Sequence, residues 1–409
     1  MSSQTSSRST TSRAPRCTPV SSSSFPIATS TERATARRRL SASGCAPTIE
    51  GVTSLDELPI RDDLRGQSPY GAPQKSVRIA LNVNENTHPV PDEVVAHVAA
   101  AVERELRSIN RYPDREFTAL RESLAGYLAG RVRPEQVWAA NGSNEVIQHV
   151  LQAFGGPGRT VLGFPPTYSM HSIIAASTGT AWVTGERDAD FTLSPDTAVA
   201  AVERHDPDLV FLCAPNNPTG TPLGLDTIEA VYEASRGIVM VDEAYAEFMP
   251  EGKPDAIGLL EGRPRLLVSR TMSKAFAFAG ARLGYLAADA AVIDALRLVR
   301  LPYHLSAVTQ AAAVAALEHA ETMLRTVDVI RQQRDRLIVE LAALGFAPHD
   351  SWANFVLFGG VADPQTTFSY LLDHDILIRD VGLDNHLRVT AGTPGETTEF
   401  LEVLARMGR

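Results

Sequence analysis

Residues 209–245 read LVFLCAPNNPTGTPLGLDTIEAVYEASRGIVMVDEAY. Two apolar runs rich in β-branched residues, LVFLCAP (209–215) and GIVMV (237–241), enclose a stretch at 226–234 with helical periodicity. A strand that stays apolar instead of alternating is one buried on both faces, and strand–helix–strand succession marks a parallel sheet covered by helices. The same kind of run recurs at TVLGF (160–164), AWVTG (181–185) and RLLVSRT (265–271), with another helical stretch at 195–203. The expected fold class is therefore α/β, with a mostly parallel central sheet flanked by helices.

Further out, Val94, Val95, Val98, Val102 and Leu106 recur near a 3.6-residue period within 92–107, and Phe117, Leu120, Leu124 and Leu128 do so within 116–129, so both read as helices. Beyond residue 305 the pattern changes. One long helical periodicity over 310–344 precedes two short strands, ANFVLFG (353–359) and ILIRDVG (376–382), and a helix at 396–406. This divides the chain into an extension (1–50), an arm contributing to a smaller domain (51–105), a large domain (106–304) and a smaller α+β domain (305–409).

Composition narrows the function classes. The 409 residues are 44% hydrophobic, enough for a sizeable core, and no run of 18 apolar residues suggests a membrane span. A net charge of −10 argues against nucleic acid as a partner. Cys17, Cys45 and Cys213 fit neither a disulfide framework nor a zinc spacing, so no metal is expected. Residues 1–50 hold seven Arg, no Lys and only Glu32 and Glu50 among many Ser and Thr. Such a segment buries too little apolar surface to offset its chain entropy and reads as disordered, either a plain extension or an organellar transit peptide.

In open α/β sheets ligands bind beyond the carboxyl ends of the strands. Three expected strands end in groups a core does not require: LVFLCAP runs into Asn216-Asn217-Pro218-Thr219-Gly220, GIVMV into Asp242-Glu243-Ala244-Tyr245, and RLLVSRT into Met272-Ser273-Lys274, with Arg282 following. Singly these are a turn, a helix cap and a solvated lysine. Together they place carboxylate, phenol, amide, amine and guanidinium at successive strand ends, the make-up of a catalytic site.

APNNPTG, VDEAYAEF and SRTMSKAFAFAGARLGY, with 25 residues from Asn217 to Asp242 and 32 from Asp242 to Lys274, resemble the fold-type-I pyridoxal-phosphate aminotransferases, and within them the histidinol-phosphate aminotransferase family. The resemblance runs from about residue 51 to the C terminus and includes LNVNEN (81–86), RYPD (111–114), ANGSNE (140–145), PPTYSMH (165–171) and LRVTAG (387–392). It implies pyridoxal 5'-phosphate as cofactor. Lys274 would form a Schiff base with the cofactor aldehyde and then move a proton, a role that requires burial and the cation of Arg282 to lower its pKa. Asp242 would pair with the ring nitrogen, Tyr245 and Asn217 would hydrogen-bond the ring's phenolic oxygen, and Tyr168 would stack on the ring. For the cofactor phosphate, NGSNEVIQHVLQAF (141–154) reads as a loop feeding a helix, which places Ser143 and Asn144 at an anion-favouring N terminus. Thr271 and Ser273 would add hydroxyl donors and Arg282 a charge.

The resemblance further implies a homodimer with shared active sites, in which Tyr112 reaches the neighbouring subunit's cofactor phosphate. Arg388, Arg379, Tyr70 and Asn86 would bind substrate, two guanidinium forks suiting a dianion. The implied reaction is transamination between histidinol phosphate and 2-oxoglutarate in a cytoplasmic enzyme of histidine biosynthesis. An aromatic amino-acid aminotransferase and a phosphoamino-acid decarboxylase share these motifs; a transcription regulator would need a helix-turn-helix module that residues 1–50 lack the periodicity to supply. One departure stands out: Thr87-His88 follows NEN where the family has Pro and Gly, which leaves the shape of this substrate-side loop open.

Overall fold

In the computed structural model, residues 57–66, 69–71 and 73–407 are described. The expected extension over 1–50 lies outside them. Contacts separate Met1–Gln67 from Ser68–Arg409. Within the former, Asp62–Leu64 forms a turn of 3-10 helix, closed by Arg65 Nε donating to Asp62 at 3.2 Å. Everything below concerns Ser68–Arg409.

Its elements run in chain order as β1 (Ile79–Ala80), α1 (Asp92–Leu106), α2 (Thr118–Tyr127), β2 (Val137–Ala140), α3 (Ser143–Phe154), β3 (Thr160–Gly163), α4 (Met170–Thr178), β4 (Ala181–Thr184), α5 (Pro195–His205), β5 (Leu209–Cys213), α6 (Leu225–Ala234), β6 (Ile238–Asp242), β7 (Leu266–Thr271) and β8 (Gly284–Ala287). There follow α7 (Ala290–Val299), α8 (Ala307–Leu317), α9 (Ala320–Ala343), β9 (Ala347–Pro348), β10 (Phe355–Gly359), α10 (Pro364–Asp373), β11 (Ile376–Leu377), β12 (Leu387–Thr390) and α11 (Pro394–Met407). Local chemistry sets several boundaries. Ser194 caps α5 by accepting from the Thr197 amide with Pro195 at the first position, and Asp363 caps α10 ahead of Pro364.

Seven strands form the central sheet in the order β2-β8-β7-β6-β5-β3-β4. All adjacent pairs are parallel except those made by β8, which runs antiparallel to β2 and β7. Every residue of β5 and β7 is buried, the reason their sequences do not alternate. The register pairs Cys213 with Asp242 and Asp242 with Ser269, so the chain leaves β5, β6 and β7 at neighbouring points. A second, antiparallel sheet has the order β12-β10-β9, and β1 pairs with β11 in parallel. Among the described residues no helix is long and apolar enough to cross a membrane.

Two expectations need correction, and two strands escaped the sequence reading. The periodicity over 310–344 covers two helices, α8 and α9, which part at Glu318-His319. Without Gly or Pro between them, the 3.6-residue period continues across the break; α8 packs against α1, and Glu318 meets His97 of α1 at 2.6 Å. ILIRDVG holds only two ladder residues, after which Arg379 meets Arg388 in an isolated antiparallel bridge. VWAA and GYLA are strands β2 and β8, too short to show a period.

Candidate active site

The exits of β5, β6 and β7 open into a cavity of about 500 Å³. Asp242, the last residue of β6, is 2% exposed. One of its oxygens lies 3.1 Å from His171 Nε2, and the other accepts from Ser269 Oγ at 3.3 Å and the Ala244 amide at 3.2 Å. Three donors hold this carboxylate in one orientation, as a charge-assisted contact to a ring nitrogen requires. On the next residue Glu243 accepts from Arg270 Nε and Nη2 at 3.0 and 2.7 Å, both side chains buried. That pair ties β6 to β7 where Asp242 and the Thr271–Lys274 turn begin.

The Tyr245 hydroxyl accepts from Asn84 Nδ2 at 3.0 Å and Asn217 Nδ2 at 3.2 Å, which leaves its own proton to donate. Burial pushes its phenol up, so that proton stays on at neutral pH. Tyr168 donates to Asn144 Oδ1 at 3.1 Å, with its ring edge-on to His171. Lys274 Nζ donates to the Val83 carbonyl at 2.9 Å. Burial lowers the Lys274 pKa to about 8, helped first by the charge of Arg388 and then by that of Arg282, against Glu85, which raises it. The cation expected to matter was Arg282; Arg388, from a distant part of the chain, contributes more.

A cluster of hydrogen-bond donors that suits an anion lines another part of the cavity. Gly142 (φ 86°) precedes α3 with no side-chain cap, and Ser143, Asn144, Ser273 and Arg282 line the cavity there. The fit is close. A Cβ on Gly142 would stand 2.4 Å from Arg282 Nη2, and one on Gly284 2.2 Å from the Ser143 amide nitrogen. Thr271 also lines the cavity, but its hydroxyl donates to the Leu283 carbonyl at 3.1 Å while accepting from the Ser273 amide at 3.1 Å. Its proton is thus engaged, and it orients Ser273 instead of donating to a ligand.

On the facing wall Arg388 (7% exposed) donates to Asn217 Oδ1 at 2.5 Å and the Asn82 carbonyl at 2.9 Å, and lies over the Phe355 ring at 5.0 Å. Burial lowers its pKa to about 10, and its Nε has no partner. Arg379 and Tyr70 line the same cavity. Asn86 does not: its Nδ2 donates to the Ala275 carbonyl and Thr326 Oγ1, both at 3.1 Å, and its Oδ1 accepts from the His88 amide at 2.9 Å. Those bonds fix the Thr87-His88 loop whose shape the sequence left open. Tyr112, 81% exposed and stacked on Tyr303 at 4.5 Å, is not among the lining residues either. Sequence reading missed His171, although it stands three residues after Tyr168 in PPTYSMH, and Asn84, within LNVNEN.

A helix N terminus with hydroxyl and guanidinium donors suits a phosphate, a held carboxylate suits a basic ring nitrogen, an aromatic face suits a planar ring, and an amine of lowered pKa suits an aldehyde. Together these match pyridoxal phosphate group by group.

Residues 77–404 match the family model of class I and II aminotransferases. The chain is 60% identical over 353 residues to the histidinol-phosphate aminotransferase of Paenarthrobacter aurescens, covering 86% of this chain and 95% of that protein. It is 58% identical over 351 residues to that of Thermobifida fusca, covering 86% and 96%. The crystal structure of histidinol-phosphate aminotransferase from Sinorhizobium meliloti in complex with pyridoxal-5'-phosphate shares the fold, with a TM-score of 0.72 at 24% identity over 81% of this chain and 92% of that one. The chain belongs to the class I and II aminotransferases, which are pyridoxal-phosphate enzymes, and within them to the histidinol-phosphate aminotransferases.

Proposed function

We infer that this cavity exchanges the amino group of histidinol phosphate with 2-oxoglutarate, giving imidazole-acetol phosphate and glutamate. The observation that carries the substrate reading is the pairing of Arg379 with Arg388. Their backbones exchange hydrogen bonds of 3.0 and 2.9 Å, which puts both side chains on one face of the bridge. Like charges directly opposite destabilise each other, so two guanidinium groups there call for a dianion between them.

Bound pyridoxal phosphate supplies an electron sink for the pair left when the substrate's Cα–H bond breaks. Ser143, Asn144, Ser273 and Arg282 would hold its phosphate, Asp242 would keep its ring nitrogen protonated, Tyr245 and Asn217 would contact its phenolic oxygen, and Tyr168 would cover its ring. Lys274 Nζ, held by the Val83 carbonyl, would take the proton from the substrate Cα and deliver it to the cofactor carbon that carried the aldehyde. Arg388, Arg379 and Tyr70 hold the substrate phosphate, and Arg388 takes the carboxylate when glutamate occupies the site.

The enzyme works as a cytoplasmic homodimer in which Tyr112 completes the partner's phosphate site. Support comes from the exposed ring of Tyr112 itself, stacked on Tyr303, and from the apolar side chains Ile109, Leu298 and Leu301, which are also left exposed. In an assay with imidazole-acetol phosphate and glutamate, Arg379→Ala should raise the KM for the phosphorylated substrate by about tenfold or more with a smaller effect on kcat. An unchanged KM would remove Arg379 from the phosphate site; faster turnover of phenylalanine than of histidinol phosphate by the wild-type protein would replace the substrate reading itself.

A pH dependence follows from Lys274. It captures the cofactor aldehyde only as the free amine, and burial brings its pKa down from the ordinary 10.5 to about 8. The neutral fraction therefore rises with pH through about 8. Cofactor loading of the apoprotein, followed by absorbance, should be half-maximal in rate near that pH; a midpoint above 10 would show an exposed, ordinary lysine.

A further inference from the structure

Two carboxylates line the cavity, Asp242 and Glu85. Asp242 is oriented by His171, Ser269 and Ala244 toward the cofactor ring. The Glu85 carboxylate is exposed and makes no hydrogen bond among the described residues. Its position is nonetheless built. Asn84, just before it, has a left-handed backbone (φ 57°), which asparagine adopts more readily than other non-glycine residues but which its surroundings must still single out.

Here they do. The Asn84 amide donates to Thr390 Oγ1 at 3.1 Å, its Oδ1 accepts from the same hydroxyl at 3.2 Å, and its Nδ2 donates to Tyr245. Its carbonyl accepts from Asn354 Nδ2 at 3.1 Å. This one residue turns the Val83 carbonyl onto Lys274 and sets Glu85 on the cavity wall. The charge of Glu85 reaches the Lys274 amine, whose pKa it raises against burial.

Resting on the reading of histidinol phosphate as substrate, the remaining chemistry can be assigned. Three arms leave the substrate Cα: the amino group at Lys274, the phosphate arm at Arg379 and Arg388, and the imidazole. An imidazole presents an N–H donor, or two when protonated, and the arginines offer no acceptor for it. We propose that the Glu85 carboxylate accepts the imidazole N–H of histidinol phosphate and selects that ring over a phenyl ring of similar shape. A site that hydrogen-bonds a substrate N–H discriminates against the analogue lacking it far better than an apolar pocket does.

The test compares kcat/KM of the holoenzyme on histidinol phosphate and on phenylalaninol phosphate, with melting temperatures to confirm folding. Glu85→Gln should lower kcat/KM on histidinol phosphate by about tenfold or more, mainly through KM, and on phenylalaninol phosphate by about threefold at most. Glu85→Leu should bring the two substrates to parity or reverse their order. Equal losses on both, or none on either, would overturn the proposal and leave the substrate reading in place. A wild-type enzyme inactive on histidinol phosphate would overturn both, an outcome separate from equal losses.

Discussion

Lys274→Ala should reduce transamination by roughly four orders of magnitude, about 5 kcal/mol of transition-state stabilisation, while the protein stays folded. No other cation lining the cavity can replace it. The remaining cations, Arg282, Arg379 and Arg388, are guanidinium groups that do not serve as bases, and Tyr245 is held in its neutral form by burial. The loss should fall on kcat with both amino donors, because the proton is moved in each half-reaction. Single-turnover rates with histidinol phosphate and with glutamate would measure it. Retention of a tenth of the wild-type rate would show that the amine at 274 is not the base.

Asp242→Asn should cost about two to three orders of magnitude in kcat, roughly 3–4 kcal/mol. The amide has the shape of the carboxylate and sits among the same three neighbours, so this variant removes charge more than geometry. It also changes what His171 can do. His171 Nε2 donates to a carboxylate oxygen at 3.1 Å, whereas an amide placed there offers either a weaker acceptor or a competing donor. Cofactor affinity, titrated by absorbance, should fall much less than kcat, since the phosphate cradle is untouched. A fall in affinity with unchanged kcat would assign Asp242 to anchoring alone.

Reading the chain in order recovered most of the sheet because burial leaves a local mark. β5 is apolar throughout and β6 and β7 begin as apolar runs because both faces are covered, and the polar residues that follow stand out against that background. The marks fade where packing, not periodicity, sets the outcome. Nothing in 310–344 announces the turn at His319, which exists because α8 lies against α1. Asn86 looked like a substrate ligand and is a loop tie, since its amide meets Ala275 and Thr326. Thr271 looked like a phosphate donor, but its proton goes to the Leu283 carbonyl. Glu85 and His171 were in view as letters of motifs, with no local feature to separate them from their neighbours.

The order of residues by itself determined that an amine, a carboxylate, a phenol and an amide would leave successive strands at the same end of a parallel sheet, because chain direction and strand burial are written locally. Only the tertiary structure decided how those groups behave. The lowered pKa of Lys274 depends on burial and on Arg388, and the conformation of the loop bearing Glu85 depends on Thr390 and Asn354. Charge and hydrogen bonding act through space over a few ångströms, and which residues come that close is set by the folding of distant segments onto one another.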